Sequence, residues 1–124
     1  MSSFPAGTVA WAEDPTNAHE DRPVIILSHK NRPFNAVECT VMCLGTSAKS
    51  YDHYSPELTN EHLTGISFND STHLMPWALY TIPPAAIHTT REQGNLTEEG
   101  IRLAKKALIS LCQPPRARWR GACQ

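Results

Sequence analysis

A chain of 124 residues with 40% hydrophobic and 19% charged positions can bury one ordinary core but not two, which excludes a multidomain organisation for this sequence. Its formal net charge of −1 excludes a global electrostatic drive toward nucleic acid, so any contact with a polyanion must be local. No apolar run approaches the roughly 18 residues that cross a bilayer, and the opening MSSFPAG lacks the basic and apolar stretches of a secretory leader; both point to a soluble, cytoplasmic protein.

Residues 8–12 follow Gly7 and stop at the turn residues Asp14 and Pro15, which predicts a short first strand. The continuous β-branched run in residues 23–27 predicts a buried second strand, ended by Ser28 and a basic, Pro- and Asn-containing turn. Val37, Cys39, Val41 and Cys43 alternate with Glu38, Thr40, Met42 and Leu44, so residues 37–44 predict a strand with one apolar and one mixed face. Gly45-Thr46-Ser47 ends it. Residues 48–69 carry Tyr51, Tyr54, Leu58, Leu63, Ile66 and Phe68 without regular spacing, which predicts a long excursion holding a short strand or a helical turn. Residues 71–82 predict a further strand, bent or bulged at Pro76 because proline cannot donate to a ladder.

Thr97 is a good N-cap, Glu98 and Glu99 suit the positive end of a helix dipole, and Ile101, Ala104, Leu108 and Leu111 recur at helical spacing. A helix over residues 97–112 follows, closed by Gln113-Pro114-Pro115. Cys39, Cys43, Cys112 and Cys123 form no C-x-x-C pair and are expected as reduced thiols, with Cys39 and Cys43 acting as small buried hydrophobes. His29, His53, His62 and His88 have no i, i+4 partner or carboxylate spacing, so no metal site is expected and no function is assigned to them. The expected class is mainly β: an SH3-like barrel or curled sheet with a C-terminal α-helix and short helical segments. The expected organisation is a flexible start at 1–6, a domain at 7–113 and a basic, flexible tail at 114–124. In that tail Arg116, Arg118 and Arg120 interleave with Trp119; they could pair phosphates and stack a base, or simply fray.

The ordered motifs resemble those of the MazF/PemK (Kid) toxins of type II toxin-antitoxin systems. Gly7-Thr8-Val9-Ala10-Trp11 looks like the opening strand of that family, Asp14-Pro15-Thr16-Asn17-Ala18-His19-Glu20 like the Kid-type loop, and Arg22-Pro23-Val24-Ile25-Ile26-Leu27-Ser28 like its RPVxxLS strand. Phe34-Asn35, Leu44-Gly45-Thr46-Ser47, Thr81-Ile82 and Gly94-Asn95-Leu96-Thr97 resemble later family features in the same order, so the likeness spans residues 7–112. It implies a MazF-Kid-like barrel, an endoribonuclease acting on single-stranded RNA without a cofactor or metal, an antitoxin partner and a homodimer.

Cleavage through the ribose 2′-hydroxyl requires a base for its proton, cationic or amide donors for the phosphorane, and an acid for the leaving 5′-oxygen. Arg22 fits the second role because a guanidinium stays charged and grips two oxygens, although taken alone it reads first as a structural arginine at the start of a strand. The resemblance implies that Arg22 and Thr46 are catalytic and that Ser47 is a weaker substrate contact. His19 and Glu20 match loop residues of the Kid-type toxins and either could serve as base, with His19 ranked first. Ungapped counting from Thr81-Ile82 puts Met75 and Trp77 where Kid has a catalytic Arg and Asp; a gapped alternative puts Asp70 at the acidic position. His73 could replace a lost acid or base, and Met75 and Trp77 are substrate-side candidates, Trp77 by stacking a base; His73 and Trp77 could equally be sheet residues. The alternative function is a catalytically inactive MazF-like barrel that binds nucleic acid or protein.

Overall fold

The computed structural model describes residues 4–46 and 54–112. Ser47 and the basic tail lie outside them. Strands β1 (Thr8–Glu13), β2 (Asp21–Ile26), β3 (Cys39–Gly45), β4 (Glu57–Leu58), β5 (Leu63–Thr64), β6 (Thr72–Ile82) and β7 (Gly94–Leu96) precede helix α1 (Glu98–Cys112). All strand pairs are antiparallel, in the order β4-β6-β3-β2-β1-β7-β5. This mostly β, nearly closed seven-stranded barrel with one C-terminal helix agrees with the expected class.

The excursion does contain short strands and, at Asn60–His62, a 3-10 turn. Strand β6 is bulged where expected: Met42 faces Leu79 while Cys43 faces Met75, so the register shifts across Pro76–Ala78. β3 starts at Cys39, two residues later than its alternation predicts. The amides of Val37 and Glu38 both donate to the carbonyl of Phe34, whose φ of 62° closes a loop, and Val37 is exposed.

β3 is also buried on both sides rather than on one. Cys39, Val41 and Cys43 join one core with Ala10, Val24 and Ile26, while Met42 and Leu44 join a second with Val9 and Ile25. An antiparallel strand can leave one face to water, but here a core lies on each side of β3, and alternation alone does not reveal what covers a face. The helix closes the second core through part of the expected stripe: Ala104 is buried there and Leu108 packs against it, whereas Ile101 and Leu111 are exposed and Gly100 and Ala107 complete the buried face. Small residues allow a close approach; a Cβ on Gly100 would stand 2.3 Å from the carbonyl oxygen of His62. Thr97 caps the helix as expected, its hydroxyl accepting from the Gly100 amide at 3.1 Å.

Candidate functional site

The β1–β2 connection folds around Asp14. Its carboxylate accepts from the Thr16 amide (2.9 Å), the Thr16 hydroxyl (2.7 Å) and the His19 amide (2.9 Å), and Asn17 takes the left-handed φ of 63° that asparagine tolerates in such turns. Arg22 Nε completes the cradle by donating to Asp14 Oδ1 at 2.9 Å. Burial alone would raise the Asp14 pKa, but the bonds from Arg22, Thr16 and His19 outweigh it and hold the carboxyl well below the usual range.

The guanidinium continues into the sheet. Nη1 donates to the Leu44 carbonyl at 2.9 Å and lies 3.5 Å from Met75 Sδ, while Nη2 reaches the Thr16 hydroxyl at 3.4 Å. Gly45 makes room for it, since a Cβ there would meet both Arg22 Nη1 and Met75 Sδ at 2.9 Å. Those contacts leave one Nη2 hydrogen without a partner among the described residues, so Arg22 keeps donor capacity for an anion. Behind the pair lies Cys43, whose thiol burial pushes up to about 11; it stays protonated and is no nucleophile at neutral pH.

Arg22 lines a cleft of about 410 Å³ at one end of the sheet. His19 enters it from the β1–β2 loop, Gly45 and Thr46 from the end of β3, and Phe68, Asn69 and Asp70 from the segment before β6. Trp11, Asp21 and Arg91 close the remaining side. The cleft therefore gathers an arginine, a histidine, a hydroxyl and carboxylates from segments far apart in the chain. Among the described residues, no group of three or more His, Cys, Asp or Glu is placed to hold a metal ion.

The sequence pattern of the family described as PemK-like, MazF-like toxin of type II toxin-antitoxin system matches residues 6–112. The chain belongs to this family. Solved structures with the MazF-like fold include an endoribonuclease in complex with its cognate antitoxin from a mycobacterial species (TM-score 0.60, 14% identity, 93% of this chain and 99% of that one). The Mycobacterium tuberculosis toxin MazF-mt6 is similarly related (0.61, 18%, 82% and 91%), as is another mycobacterial endoribonuclease (0.57, 16%, 93% and 97%). No curated protein matches the chain.

In this MazF-like barrel, three of the candidate residues, His19, Arg22 and Thr46, line one cleft. Met75 stands behind it against Arg22, and Glu20 is exposed, its backbone carbonyl accepting from the Asp14 amide at 3.0 Å. His73 is buried at 5% exposure in the ladder between Gly45 on β3 and Glu57 on β4, and is not among the cleft-lining residues. Trp77 is half exposed at the register shift of β6 and is not among the cleft-lining residues either. Asp70, reached in sequence only through the gapped alternative, does line the cleft. Trp11, Phe68, Asn69 and Arg91 carried no functional signal in the sequence. Nor did Asp21 and His88, whose Oδ1 and Nε2 lie within hydrogen-bond distance at 2.7 Å. Among the described residues, no helix is long and apolar enough to cross a membrane.

Proposed function

We propose that this toxin-family protein is an endoribonuclease that cleaves single-stranded RNA by attack of a ribose 2′-hydroxyl on the adjacent phosphate. The observation that carries this reading is the convergence of His19, Arg22 and Thr46 on one open cleft. The His19 imidazole takes the 2′-hydroxyl proton as the new O–P bond forms. With Nε held by Asp14 and Nη1 by Leu44, Arg22 turns Nη2 to donate to the phosphorane oxygens, and Thr46 adds its hydroxyl and amide. The P–O5′ bond then breaks, leaving a 2′,3′-cyclic phosphate on one fragment and, after proton transfer from water, a 5′-hydroxyl on the other. In this reading the protein acts in the cytoplasm as a homodimer and is neutralised by an antitoxin protein; a solved neighbour bound to its cognate antitoxin supports such a partner.

The test is incubation with single-stranded RNA in excess EDTA. Because side chains, a backbone amide and water carry every role, cleavage with cyclic-phosphate ends is expected to persist, and activity restored only by a divalent ion overturns the mechanism. His19→Ala should flatten the acidic limb of the pH–rate profile. If His73→Ala does so instead, the base sits on β6. RNA binding without any cleavage favours the inactive binding module.

A further inference from the structure

One wall of the cleft is more highly organised than the phosphate chemistry requires. After the 3-10 turn Pro84–Ala86, Ile87 bridges to Ala12 and the His88 amide donates to the Trp11 carbonyl at 2.8 Å. The Arg91 amide then donates to the His88 carbonyl at 3.2 Å, a turn that folds the Arg91 side chain back over β1. Arg91 Cζ sits 3.9 Å from the centroid of the Trp11 ring. One carboxylate locks the arrangement: Asp21 meets His88 Nε2 at 2.7 Å through Oδ1 and accepts from Arg91 Nη1 at 3.4 Å through Oδ2. Phe68 buttresses the indole edge-on at 6.2 Å.

A guanidinium stacked on indole covers one of its own faces and leaves the other available, and the Arg91 side chain is 43% exposed where it lines the cleft. A planar cation fixed in this way is a stacking surface for an aromatic ring. Asn69 and Asp70 line the same cleft with the hydrogen-bonding groups that read the edge of such a ring. Arg22 and Thr46, the proposed phosphate contacts, belong to that cleft as well.

We infer that the Trp11–Arg91 stack is a nucleobase subsite, receiving one unstacked base next to the scissile phosphate while Asn69 and Asp70 read its edge. This inference rests on the RNA reading above but not on catalysis. A stacked base contributes by its ring, so an abasic nucleotide at the subsite position removes the contact, and Arg91→Lys keeps the charge but removes the planar stack.

The experiment measures binding of short 2′-deoxy oligonucleotides, which lack the attacking hydroxyl, with one abasic site moved through every position. At one position the abasic site should weaken binding to the unmodified protein roughly tenfold and leave binding to Arg91→Lys unchanged. A merely structural Arg91 would weaken binding equally for intact and abasic strands. The inference is overturned if no position shows this coupling, or if the unmodified protein binds none of the strands. Coupling in a protein that cleaves no RNA upholds the subsite and removes the nuclease reading instead.

Discussion

Arg22 Nε stands 2.9 Å from Asp14 Oδ1, with the two side chains withdrawn from solvent to 10% and 0% exposure. The arginine proposed to face the phosphate is thus also half of a buried ion pair that shapes the loop carrying His19. Its two roles can be separated by substitution.

Arg22→Ala leaves the Asp14 carboxylate buried without its cation and should destabilise the fold by about 3–5 kcal/mol. Arg22→Lys keeps a charge near Asp14 but loses the fork that reaches Asp14, Leu44 and the cleft together. It should remain folded and cleave roughly a hundredfold more slowly. Denaturant unfolding and initial cleavage rates measured on both variants decide the matter; a lysine variant as fast as the unmodified protein removes Arg22 from the chemistry.

The same pair predicts an acid dependence. Asp14 has an ordinary pKa of 3.8 and a lower one when folded, so the unfolded chain takes up its proton first as pH falls. Its stabilising contribution is complete above the ordinary value and is lost progressively below it, toward the depressed folded value. Asp14→Asn should be several kcal/mol less stable at neutral pH, where it leaves a buried guanidinium unpaired, and the gap should narrow below about pH 4. Urea melts of both proteins across that range would show it, and a gap that stays constant contradicts the assignment.

Gly45 is where backbone and site meet. Adding one Cβ places it 2.9 Å from both Arg22 Nη1 and Met75 Sδ, and Arg22 cannot yield without loosening its hold on Asp14 or Leu44. Gly45→Ala should lower stability by about 1–3 kcal/mol and reduce cleavage at least tenfold, because the guanidinium is pushed out of position. Adding Met75→Ala, which removes one of the two clashes, should restore part of the loss. Equal activity of Gly45→Ala and the unmodified protein would show that the guanidinium position does not matter.

Thr97 supplies the contrasting case. Its hydroxyl accepts from the Gly100 amide at 3.1 Å and donates to the Glu61 carbonyl at 2.6 Å, fastening α1 to the 3-10 turn. Thr97→Ala should cost about 1 kcal/mol of stability without changing the cleavage rate, since Thr97 does not line the cleft. A large drop in rate at full folding would tie the helix to catalysis.

Signals that reside within a few residues of one another were legible in the sequence. The cap at Thr97, the bulge at Pro76, the β-branched run of β2 and the ordered motifs from Gly7 to Thr97 each depend on short-range geometry, and they point to the barrel and its family. The alternation in β3 told of a strand but not of its place between two cores, because periodicity says which side chains share a face and not what covers it. The helix stripe was only half legible for a similar reason: Ala104 and Leu108 face the core as their spacing predicts, but Gly100 and Ala107 join them because neighbouring elements press close.

The site depended still more on folding. Arg22 meets Leu44 across 22 positions and Met75 across 53, and the sheet order that joins β2 to β3 and β3 to β6 brings them together. Asp21 reaches His88 across 67 positions and Arg91 across 70, distances over which residue spacing carries no information about contact. The sequence by itself determined the strand and helix segments and the chemical types available for cleavage, because local propensity and side-chain chemistry are properties of short stretches. Which of those groups share a cleft was decided only when burial of two cores closed the sheet, since that closure sets the long-range register.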